Sequence, residues 1–276
     1  MSIQVMLLKN VNKSIIVTVM NMKRYAIVAK KDDVSRLVAT KIKEELNGLI
    51  YDEEHPDIVI SVGGDGTMIY SIHRYEHVLD QVSFVGIHTG TLGFFTDYLK
   101  DEYKQLVEDI LTKEPDIFDR HLLHISYNGQ IFHALNELRI ENSHRSQVID
   151  VYVNDEHMET FRGNGICVCT SSGSTALNKS LGGAVINPSL RLMQVTEIAG
   201  IHHNAYRSLG SSLILGEDDV VRFEAAHNDH TVLGIDTDIY ELKDNDVIEA
   251  RLSKRVAHFC NYRHVSFIKR LRKSFL

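Results

Sequence analysis

Residues 58–67 read IVISVGGDGT, and this stretch decides the fold. A short apolar run rich in β-branched residues is followed at once by three glycines in four positions, with one carboxylate, Asp65, among them. Residues 67–77 then have the pattern of a helix. A strand, a tight glycine turn and a helix are typical of α/β proteins that bring backbone N–H groups against phosphate. The sequence therefore predicts a phosphate site at the end of this strand.

Asp65 is unusual in such a loop because a carboxylate repels phosphate. A site that keeps this carboxylate is expected to use it, either as a general base or to hold a cation such as Mg²⁺. The alternative is that Asp65 only caps the helix that begins near Thr67. We favour the functional interpretation because the carboxylate lies inside Gly-Gly-Asp-Gly-Thr.

The composition bounds the class of protein. The 276 residues are 43% hydrophobic and 24% charged, which fits one large or two modest globular domains. The formal net charge of −7 argues against a nucleic-acid partner, because such proteins usually carry an excess of basic residues. Three cysteines give no disulfide framework and no zinc pattern. We expect Cys167 and Cys169 to be buried thiols on one face of a strand.

The first 22 residues differ from the rest. Their two short apolar runs do not approach the roughly 20 residues that a membrane-spanning helix needs, and they lack a signal-peptide cleavage pattern. We expect residues 1–22 to be a loosely attached leader and the compact fold to begin near Met22. The sequence further predicts a cytoplasmic protein without a membrane partner.

Residues 23–115 alternate strands with helices. Apolar strands are predicted at residues 25–29, 58–62 and 84–87, and helical spacing of apolar residues recurs at 34–46 and 103–111. This alternation predicts a parallel sheet, whose ligands usually lie beyond the carboxyl ends of the strands. The GGDGT loop and a second glycine-bearing loop, residues 88–95, both lie at such ends.

Residues 116–258 are β-rich. Asn128-Gly129 and Asn154-Asp155 each separate two strand-like runs, which indicates two hairpins. The strand-like runs are residues 122–127, 131–135, 148–153, 156–162, 209–215, 220–225 and 246–252. One helical insert is predicted at 174–181. The last segment, residues 259–276, is expected to be helical and to pack back on the N-terminal domain.

Two further stretches carry chemistry. Residues 170–183 place hydroxyls and N–H groups at the start of a short helix, which suits an anion or a ribose, although a polar loop with a helix cap is the alternative. Asn136 and Glu137 close a strand with groups that suit sugar hydroxyls. The chain has no P-loop, no Gly-x-Gly-x-x-Gly after a strand and no Gly-x-Ser-x-Gly elbow.

In this order and spacing, GGDGT (residues 63–67), ALNE (134–137), RGNG (162–165) and the stretch 170–183 resemble bacterial NAD kinase. The resemblance covers about residues 25–267. The first motif alone is shared with diacylglycerol kinases, sphingosine kinases and 6-phosphofructokinases, and the later motifs make the match specific. The resemblance implies an α/β N-terminal domain with a parallel sheet plus a β-rich, NAD-binding C-terminal domain, as in the NAD kinase/diacylglycerol kinase-like architecture.

The resemblance also implies a reaction and its residues. The family transfers a phosphoryl group from ATP, or in some bacteria polyphosphate, to the 2′-hydroxyl of the adenosine ribose of NAD. Mg²⁺ is carried on the donor, no protein metal cage is expected, and the family forms dimers or tetramers. Asp65 would be the general base, and Gly63, Gly64, Gly66 and Thr67 would surround the donor phosphates. The residues expected to bind NAD are Asp65, Gly66, Asn136, Glu137, Arg162, Asn164, Thr175, Ala176, Leu177, Ser180, Ala199 and Thr237.

Four positions depart from the family pattern, and all are on the acceptor side. The family usually has Asp at Asn164, Pro at Ser171, Tyr at Leu177, and His or Gln at Thr237. We therefore expect phosphoryl transfer with weaker or altered dinucleotide recognition. Two alternatives stay open: a non-catalytic paralogue that binds NAD or NADP, and a lipid kinase of the same superfamily. The sequence also leaves open ATP or polyphosphate, NAD or NADH, and dimer or tetramer.

Overall fold

The computed structural model describes residues 23–91, 93–204 and 206–276, so the expected leader lies outside the described residues. The chain divides into two compact units. The first contains the described residues up to Ser71, together with those of Gln81–Asp116 and Asn261–His264. The second contains Ile72–Asp80, Ile117–Cys260 and Val265–Leu276.

The first unit is a parallel sheet with helices between its strands. Its elements in chain order are β1 (Arg24–Ala29), α1 (Asp33–Glu45), β2 (Ile50–Tyr51), β3 (Ile58–Gly63), α2 (Asp65–Arg74), β4 (Ser83–His88), β5 (Tyr98–Leu99) and α3 (Tyr103–Thr112). The strands lie in the order β5-β4-β3-β1-β2, and each of these neighbour pairs is parallel. The last turn of α2, from Ile72, belongs to the second unit.

The burial of β3 follows from its sequence. All six of its residues are buried, which is typical of a strand in a parallel sheet covered on both faces. The sheet register pairs Ile60 with Ile27 of β1 and with Val85 of β4. Because the strands are parallel, the carboxyl ends of β1, β3 and β4 lie at the same edge of the sheet. This edge carries the glycine loop.

The second unit is β-rich and largely antiparallel. Its strands are β6 (Asp116–Tyr127, whose first residue is in the first unit), β7 (Gln130–Ala134), β8 (Glu137–Glu141), β9 (Gln147–Val153), β10 (Glu156–Gly163), β11 (Gly165–Thr170), β12 (Met193–Ile198), β13 (Leu213–Leu215), β14 (Val220–Glu224), β15 (Val232–Ile235), β16 (Asp238–Glu241) and β17 (Val247–Asn261). Its helices are α4 (Leu177–Ser180) and α5 (Phe267–Phe275). Short 3-10 turns occupy Glu76–Val78 and Gly173–Thr175, and a third, Lys100–Glu102, lies in the first unit.

Two layers of strands enclose the core of the second unit. Six strands lie in the order β13-β12-β11-β8-β15-β16, and four others lie in the order β10-β9-β14-β17, with β6 beside β17 and β7 beside β6. One apolar cluster joins the layers: it contains Leu138 and Val168 from the first set and Ile149, Phe223 and Ile248 from the second. Packing of this kind buries the inward-facing residues of both layers.

Most predicted elements are confirmed, and the differences have local causes. The predicted strands at 25–29, 58–62 and 84–87 and both hairpins are present, as are the helices α1 and α3. The helix predicted from residue 67 begins two residues earlier, at Asp65. The insert predicted at 174–181 is a 3-10 turn followed by the four-residue α4, because Ala176 leaves the helical region. The strand predicted at 209–215 is limited to β13.

The chain ends in a helix, as predicted. β17 runs to Asn261, past the domain boundary expected at residue 258, and this last residue belongs to the first unit. The helix α5 follows in the second unit. Ser266 caps α5 by accepting a hydrogen bond from the backbone N–H of Lys269 at 3.2 Å. Within the second unit, the Lys179 ammonium lies 4.2 Å from the centre of the Phe275 ring.

Candidate active site

The glycine loop turns β3 into α2 through close backbone contacts. The carbonyl of Gly64 accepts hydrogen bonds from the N–H groups of Thr67 (2.9 Å) and Met68 (3.1 Å). A Cβ on Gly63 would lie 2.1 Å from Oγ1 of Thr67. The hydroxyl of Thr67 therefore folds back over the loop, and only a residue without a side chain fits at Gly63.

The four residues predicted to surround the donor phosphates share one cavity. Gly63, Gly64, Gly66 and Thr67 line a cavity of about 680 Å³ in the first unit. Its remaining lining residues are Ala29, Lys30, Lys31, Asp32, Val34, Tyr70, His88, Thr89 and Gly90. The lining thus combines the glycine-loop backbone with two lysines, of which Lys30 is paired with the carboxylate of Asp32 at 3.3 Å. Backbone N–H groups and a net positive charge suit a polyanion.

Sequence reasoning placed His88 at the start of the glycine-bearing loop 88–95 but missed Lys30 and Lys31, although a signal for them was present. Lys30 directly follows β1, and His88 is the last residue of β4. The ladder continues past the strands, because the N–H of Lys30 donates to Val62 (2.9 Å) and the N–H of Thr89 donates to Gly63 (3.0 Å). Residues just beyond neighbouring parallel strands meet at one edge, and applying this rule to every strand would have found them.

Asp65 is held by a second loop. Its carboxylate accepts hydrogen bonds from the backbone N–H groups of Phe94 (2.8 Å) and Phe95 (2.9 Å). A Cβ on Gly93 would lie 2.3 Å from Oδ1 of Asp65, so this loop approaches the carboxylate closely at a glycine. Asp65 begins α2, but its side chain binds residues about 30 positions later. This geometry distinguishes Asp65 from a residue that only caps its own helix.

Asn136 and Glu137 lie at the start of β8 and are almost completely buried. Within the described residues, Oδ1 of Asn136 and Oε2 of Glu137 are buried and have no hydrogen-bond partner. Burial and the neighbouring charge of Asp236 raise the pKa of Glu137 to about 7, against the attraction of Arg139. Buried polar atoms without partners are costly, so these two atoms are candidates for contact with a ligand.

The 170–183 stretch contacts the Asn136-Glu137 segment. The hydroxyl of Thr170 donates to the carbonyl of Leu135 at 2.6 Å, and the N–H of Thr170 donates to the carbonyl of Asn136 at 2.8 Å. A Cβ on Gly173 would lie 2.0 Å from that same carbonyl oxygen, so glycine permits the contact. The predicted NAD-binding residues Thr175, Ala176, Leu177 and Ser180 follow in the 3-10 turn, the break at Ala176 and the short helix α4.

Arg162, Asn164 and Ala199 form a separate group. The Arg162 guanidinium lies 4.3 Å from the centre of the Tyr206 ring, and the amide of Asn164 donates to the carbonyl of Asn142 at 3.1 Å. Asn164 and Ala199 line a cavity of about 1500 Å³ whose lining does not include Asn136 or Glu137. The structure therefore brings the predicted NAD-binding residues of the second unit together as two groups.

Two of the four departures from the family pattern make specific hydrogen bonds. The hydroxyl of Ser171 donates to the carbonyls of Leu190 (2.5 Å) and Leu192 (3.2 Å), contacts that a proline could not make. The amide of Asn164 donates to a carbonyl, which an aspartate could not do. Leu177 is half-buried and Thr237 is exposed. The structure gives no account of these last two substitutions.

The cysteines are free thiols in the core. Cys167 and Cys169 are fully buried on β11, as predicted, and burial raises the pKa of Cys169 to about 12.

In the described part of the chain, no group of three or more His, Cys, Asp or Glu residues could hold a metal ion. None of the helices described is both long enough and apolar enough to cross a membrane.

Known proteins that resemble this chain match it over most of its length. The ATP-NAD kinase N-terminal domain family matches residues 4–115, and the ATP-NAD kinase C-terminal domain family matches residues 135–262. The NAD kinase of Streptococcus pneumoniae strain R6 is 38% identical over 262 residues, covering 92% of this chain and 96% of the relative. That of strain JJA is 37% identical with the same coverage.

Two solved structures share the fold. The crystal structure of yeast NADH kinase complexed with NADH aligns with a TM-score of 0.81 and 18% identity, covering 92% of this chain and 87% of that one. The crystal structure of an NAD kinase from Archaeoglobus fulgidus in complex with ATP aligns with a TM-score of 0.72 and 21% identity, covering 91% and 97%. At these identities, the likeness establishes the two-part fold.

Proposed function

The chain belongs to the NAD kinase family, which phosphorylates NAD to NADP, and we propose that Asp65 is the general base of this reaction. The observation that carries the proposal is the placement of its carboxylate. Asp65 stands between Gly64 and Gly66, which both line the 680 Å³ cavity. The backbone N–H groups of Phe94 and Phe95 fix its orientation. A held carboxylate can accept the proton of an attacking hydroxyl without first reorienting.

The cavity beside Asp65 is the proposed donor site. Phosphoryl transfer depends on positioning and on neutralising the charge of the phosphates. Gly63, Gly64, Gly66 and Thr67 offer backbone and hydroxyl groups. Lys31 adds positive charge at the same edge, beside the ion pair of Lys30 with Asp32. ATP is the proposed donor, because a related NAD kinase of the same fold was solved in complex with ATP. Polyphosphate is the alternative that the same charges would accept.

Mg²⁺ is the divalent cation expected with this donor. Since Mg²⁺ usually keeps several waters and binds substrate phosphates, a cage of protein ligands is not required. Bound to the donor, it would neutralise part of the phosphate charge. The chain's own contribution is to hold the phosphates at the glycine loop and to accept a proton at Asp65.

The acceptor side is proposed to be built around Asn136 and Glu137. The unpartnered buried oxygens of these two side chains would accept hydrogen bonds from ribose hydroxyls. The remaining residues proposed to bind NAD are Asp65, Gly66, Arg162, Asn164, Thr175, Ala176, Leu177, Ser180, Ala199 and Thr237. Because Leu177 lacks an aromatic face and a hydroxyl, we expect weaker dinucleotide binding than is usual in the family. A Michaelis constant for NAD within the family's normal range would contradict this expectation.

We also infer that the protein acts as a homodimer or homotetramer. Large apolar side chains are exposed on the second unit, among them Ile131, Ile214 and Ile239. The resemblance to the family, whose members form dimers or tetramers, supports this proposal, and sedimentation velocity would measure the oligomeric state. A cytoplasmic location is proposed from the sequence alone.

The experiment that tests the function measures NADP directly. The purified chain is incubated with NAD and Mg²⁺ and with either ATP or polyphosphate, and NADP is quantified by chromatography. Asp65→Asn is compared with Asp33→Asn, an exposed aspartate in the first turn of α1. We expect NADP from the wild type and Asp33→Asn, and a loss of about 100-fold or more in Asp65→Asn. NAD binding without NADP formation by the wild type would favour a non-catalytic paralogue.

A further inference from the structure

Asp236 lies in the turn between β15 and β16, one residue before the predicted contact residue Thr237. Its φ is 48°, and its side chain is fully buried. The carboxylate accepts hydrogen bonds from the backbone N–H groups of Leu135 (2.7 Å), Asn136 (2.8 Å) and Glu137 (3.2 Å). Nε2 of His73 lies 2.9 Å from the same carboxylate. Four donors therefore converge on one buried charge.

The three backbone donors belong to a segment at the junction of two strands. β7 ends at Ala134 and β8 begins at Glu137, so Leu135 and Asn136 lie between the strands. Buried N–H groups require an acceptor, and Asp236 provides it. The N–H of Asp236 in turn donates to the carbonyl of Glu137 at 2.9 Å. One side chain, about 100 residues later in the chain, thus fixes the conformation of residues 135–137.

His73 is the side-chain donor in this cluster. A carboxylate can only accept hydrogen bonds, so Nε2 of His73 carries the proton in this contact. Burial lowers the pKa of His73, but the hydrogen bond to Asp236 and the negative charges of Asp236, Asp238 and Glu76 outweigh it and raise the pKa. His73 stands in the last turn of α2, where a positive charge is also favoured by the helix dipole.

We propose that Asp236 and His73 are a positioning pair that holds Asn136 and Glu137 in the conformation that binds the ribose of the acceptor. The inference rests on the proposed function, because it concerns the two residues assigned there to NAD. The unpartnered side-chain oxygens of Asn136 and Glu137 can meet a ligand only if the backbone beneath them is fixed. Asp236 binds the backbone of residues 135–137, and His73 binds the Asp236 carboxylate. Because neither side chain is assigned to the ligand, their loss changes acceptor affinity and leaves the donor cavity unaltered.

The first test compares Asp236→Asn with Asp119→Asn. Asp119 accepts a hydrogen bond from His258 at 2.7 Å, and its side chain is half exposed. Asp119 and His258 are therefore a matched His–Asp pair on the surface of the same unit. In Asp236→Asn an NH₂ group must face at least one of the convergent N–H donors. We expect the KM for NAD to rise about tenfold or more, with the KM for ATP within about twofold of the wild type. Asp119→Asn should change neither constant.

The second test keeps the proposal falsifiable if Asp236→Asn does not fold. His73→Leu removes the side-chain donor, whereas His73→Gln retains an N–H group that can reach the carboxylate. We expect a raised KM for NAD in His73→Leu, a kcat changed by less than about threefold, and recovery toward the wild type in His73→Gln. A purely structural role would lower the melting temperature of both variants without this split between KM and kcat.

The outcomes separate this inference from the proposed function. NAD affinities are also measured calorimetrically, so the comparison does not depend on turnover. The wild type serves as the reference, provided that it binds NAD. If folded Asp236→Asn and His73→Leu bind NAD within about twofold of the wild-type affinity, the positioning pair is overturned, whatever their activity. Equal KM values for NAD in His73→Leu and His73→Gln would overturn it as well. Failure of the proposed function would instead appear as unaltered turnover in Asp65→Asn.

Discussion

The carboxylate of Asp65 accepts a hydrogen bond from the backbone N–H of Phe94 at 2.8 Å, across 29 residues of sequence. A second bond from Phe95 fixes the other oxygen at 2.9 Å. The glycine loop and the loop at residues 93–95 therefore meet at the residue proposed as the base. The first residue of α2 supplies the carboxylate, and the loop at residues 93–95 orients it.

Gly93 is the position where this arrangement is most sensitive to a side chain. A Cβ there would lie 2.3 Å from Oδ1 of Asp65, well inside van der Waals contact. We expect Gly93→Ala to displace the carboxylate and to lower kcat by about 100-fold, the lower end of the effect of losing a general base. Gly48→Ala is the matched control, because a Cβ at Gly48 meets nothing within 4 Å. Equal kcat values in the two variants would contradict the aiming role of this loop.

The burial of Glu137 predicts a pH-dependent stability. Its pKa is about 7 in the folded chain, compared with an ordinary value of 4.5. Between these values the folded state binds more protons than the unfolded state, so this group makes stability fall as the pH rises. Relative to Glu137→Gln, the wild type should lose about 3 kcal/mol of unfolding free energy between pH 4.5 and pH 8.

Urea unfolding of the wild type and Glu137→Gln at both pH values measures this difference. Other titrating groups are common to the two proteins and largely cancel in the comparison. A difference in unfolding free energy that does not change with pH would show that Glu137 titrates normally. If the unfolding free energy of the wild type instead rises with pH relative to that of Glu137→Gln, the Glu137 carboxylate is stabilised in its charged form, contrary to the prediction.

Ser171 is expected to stabilise the loop that follows α4. The side chain is buried and bonds to the carbonyls of Leu190 and Leu192. Ser171→Ala should lower the unfolding free energy by about 1 kcal/mol, because it removes the hydroxyl donor from two partly buried hydrogen bonds. Ser189→Ala, an exposed hydroxyl in the same region, should change it by less than about 0.5 kcal/mol. Chemical denaturation would show whether the two variants differ.

Asn164 is expected to resist reversion to the residue usual in the family. Its amide donates to the carbonyl of Asn142 at 3.1 Å, and an aspartate would place a negative oxygen against that carbonyl. Asn164→Asp should therefore raise the KM for NAD or leave it unchanged, together with a loss of about 1 kcal/mol in stability. Steady-state kinetics over a range of NAD concentrations measures the effect. A KM lowered several-fold would show that Asn164 weakens binding in the native chain.

The donor side could be predicted from the sequence because its signals are local. The apolar run of β3 and the glycines that follow it determine the strand, the turn and the cavity around Gly63 and Thr67. Lys30 and Lys31 were not predicted, although their place after a parallel strand marks them. The partners of Asp65 could not be predicted, because backbone N–H groups are present in almost every residue and leave no pattern in the sequence.

The acceptor side was predictable only through family resemblance. Asn136 and Glu137 depend on Asp236, which is about 100 residues away and has no local motif to mark it. Strands β8, β12 and β15 were not predicted from periodicity, since antiparallel pairing with strands distant in sequence decides their limits. The strand β16, which pairs with β15 across a short turn, was not predicted either. Pairings of this kind depend on tertiary packing more than on propensity.

The most direct test of Asp65 as the base separates binding from chemistry. In Asp65→Asn, the dissociation constant for NAD is measured by calorimetry and kcat is measured at saturating NAD and ATP. We expect NAD binding within about threefold of the wild type and a kcat lowered by about 10²–10⁴-fold. A kcat within about threefold of the wild type would contradict this expectation and would assign Asp65 a structural role at the start of α2.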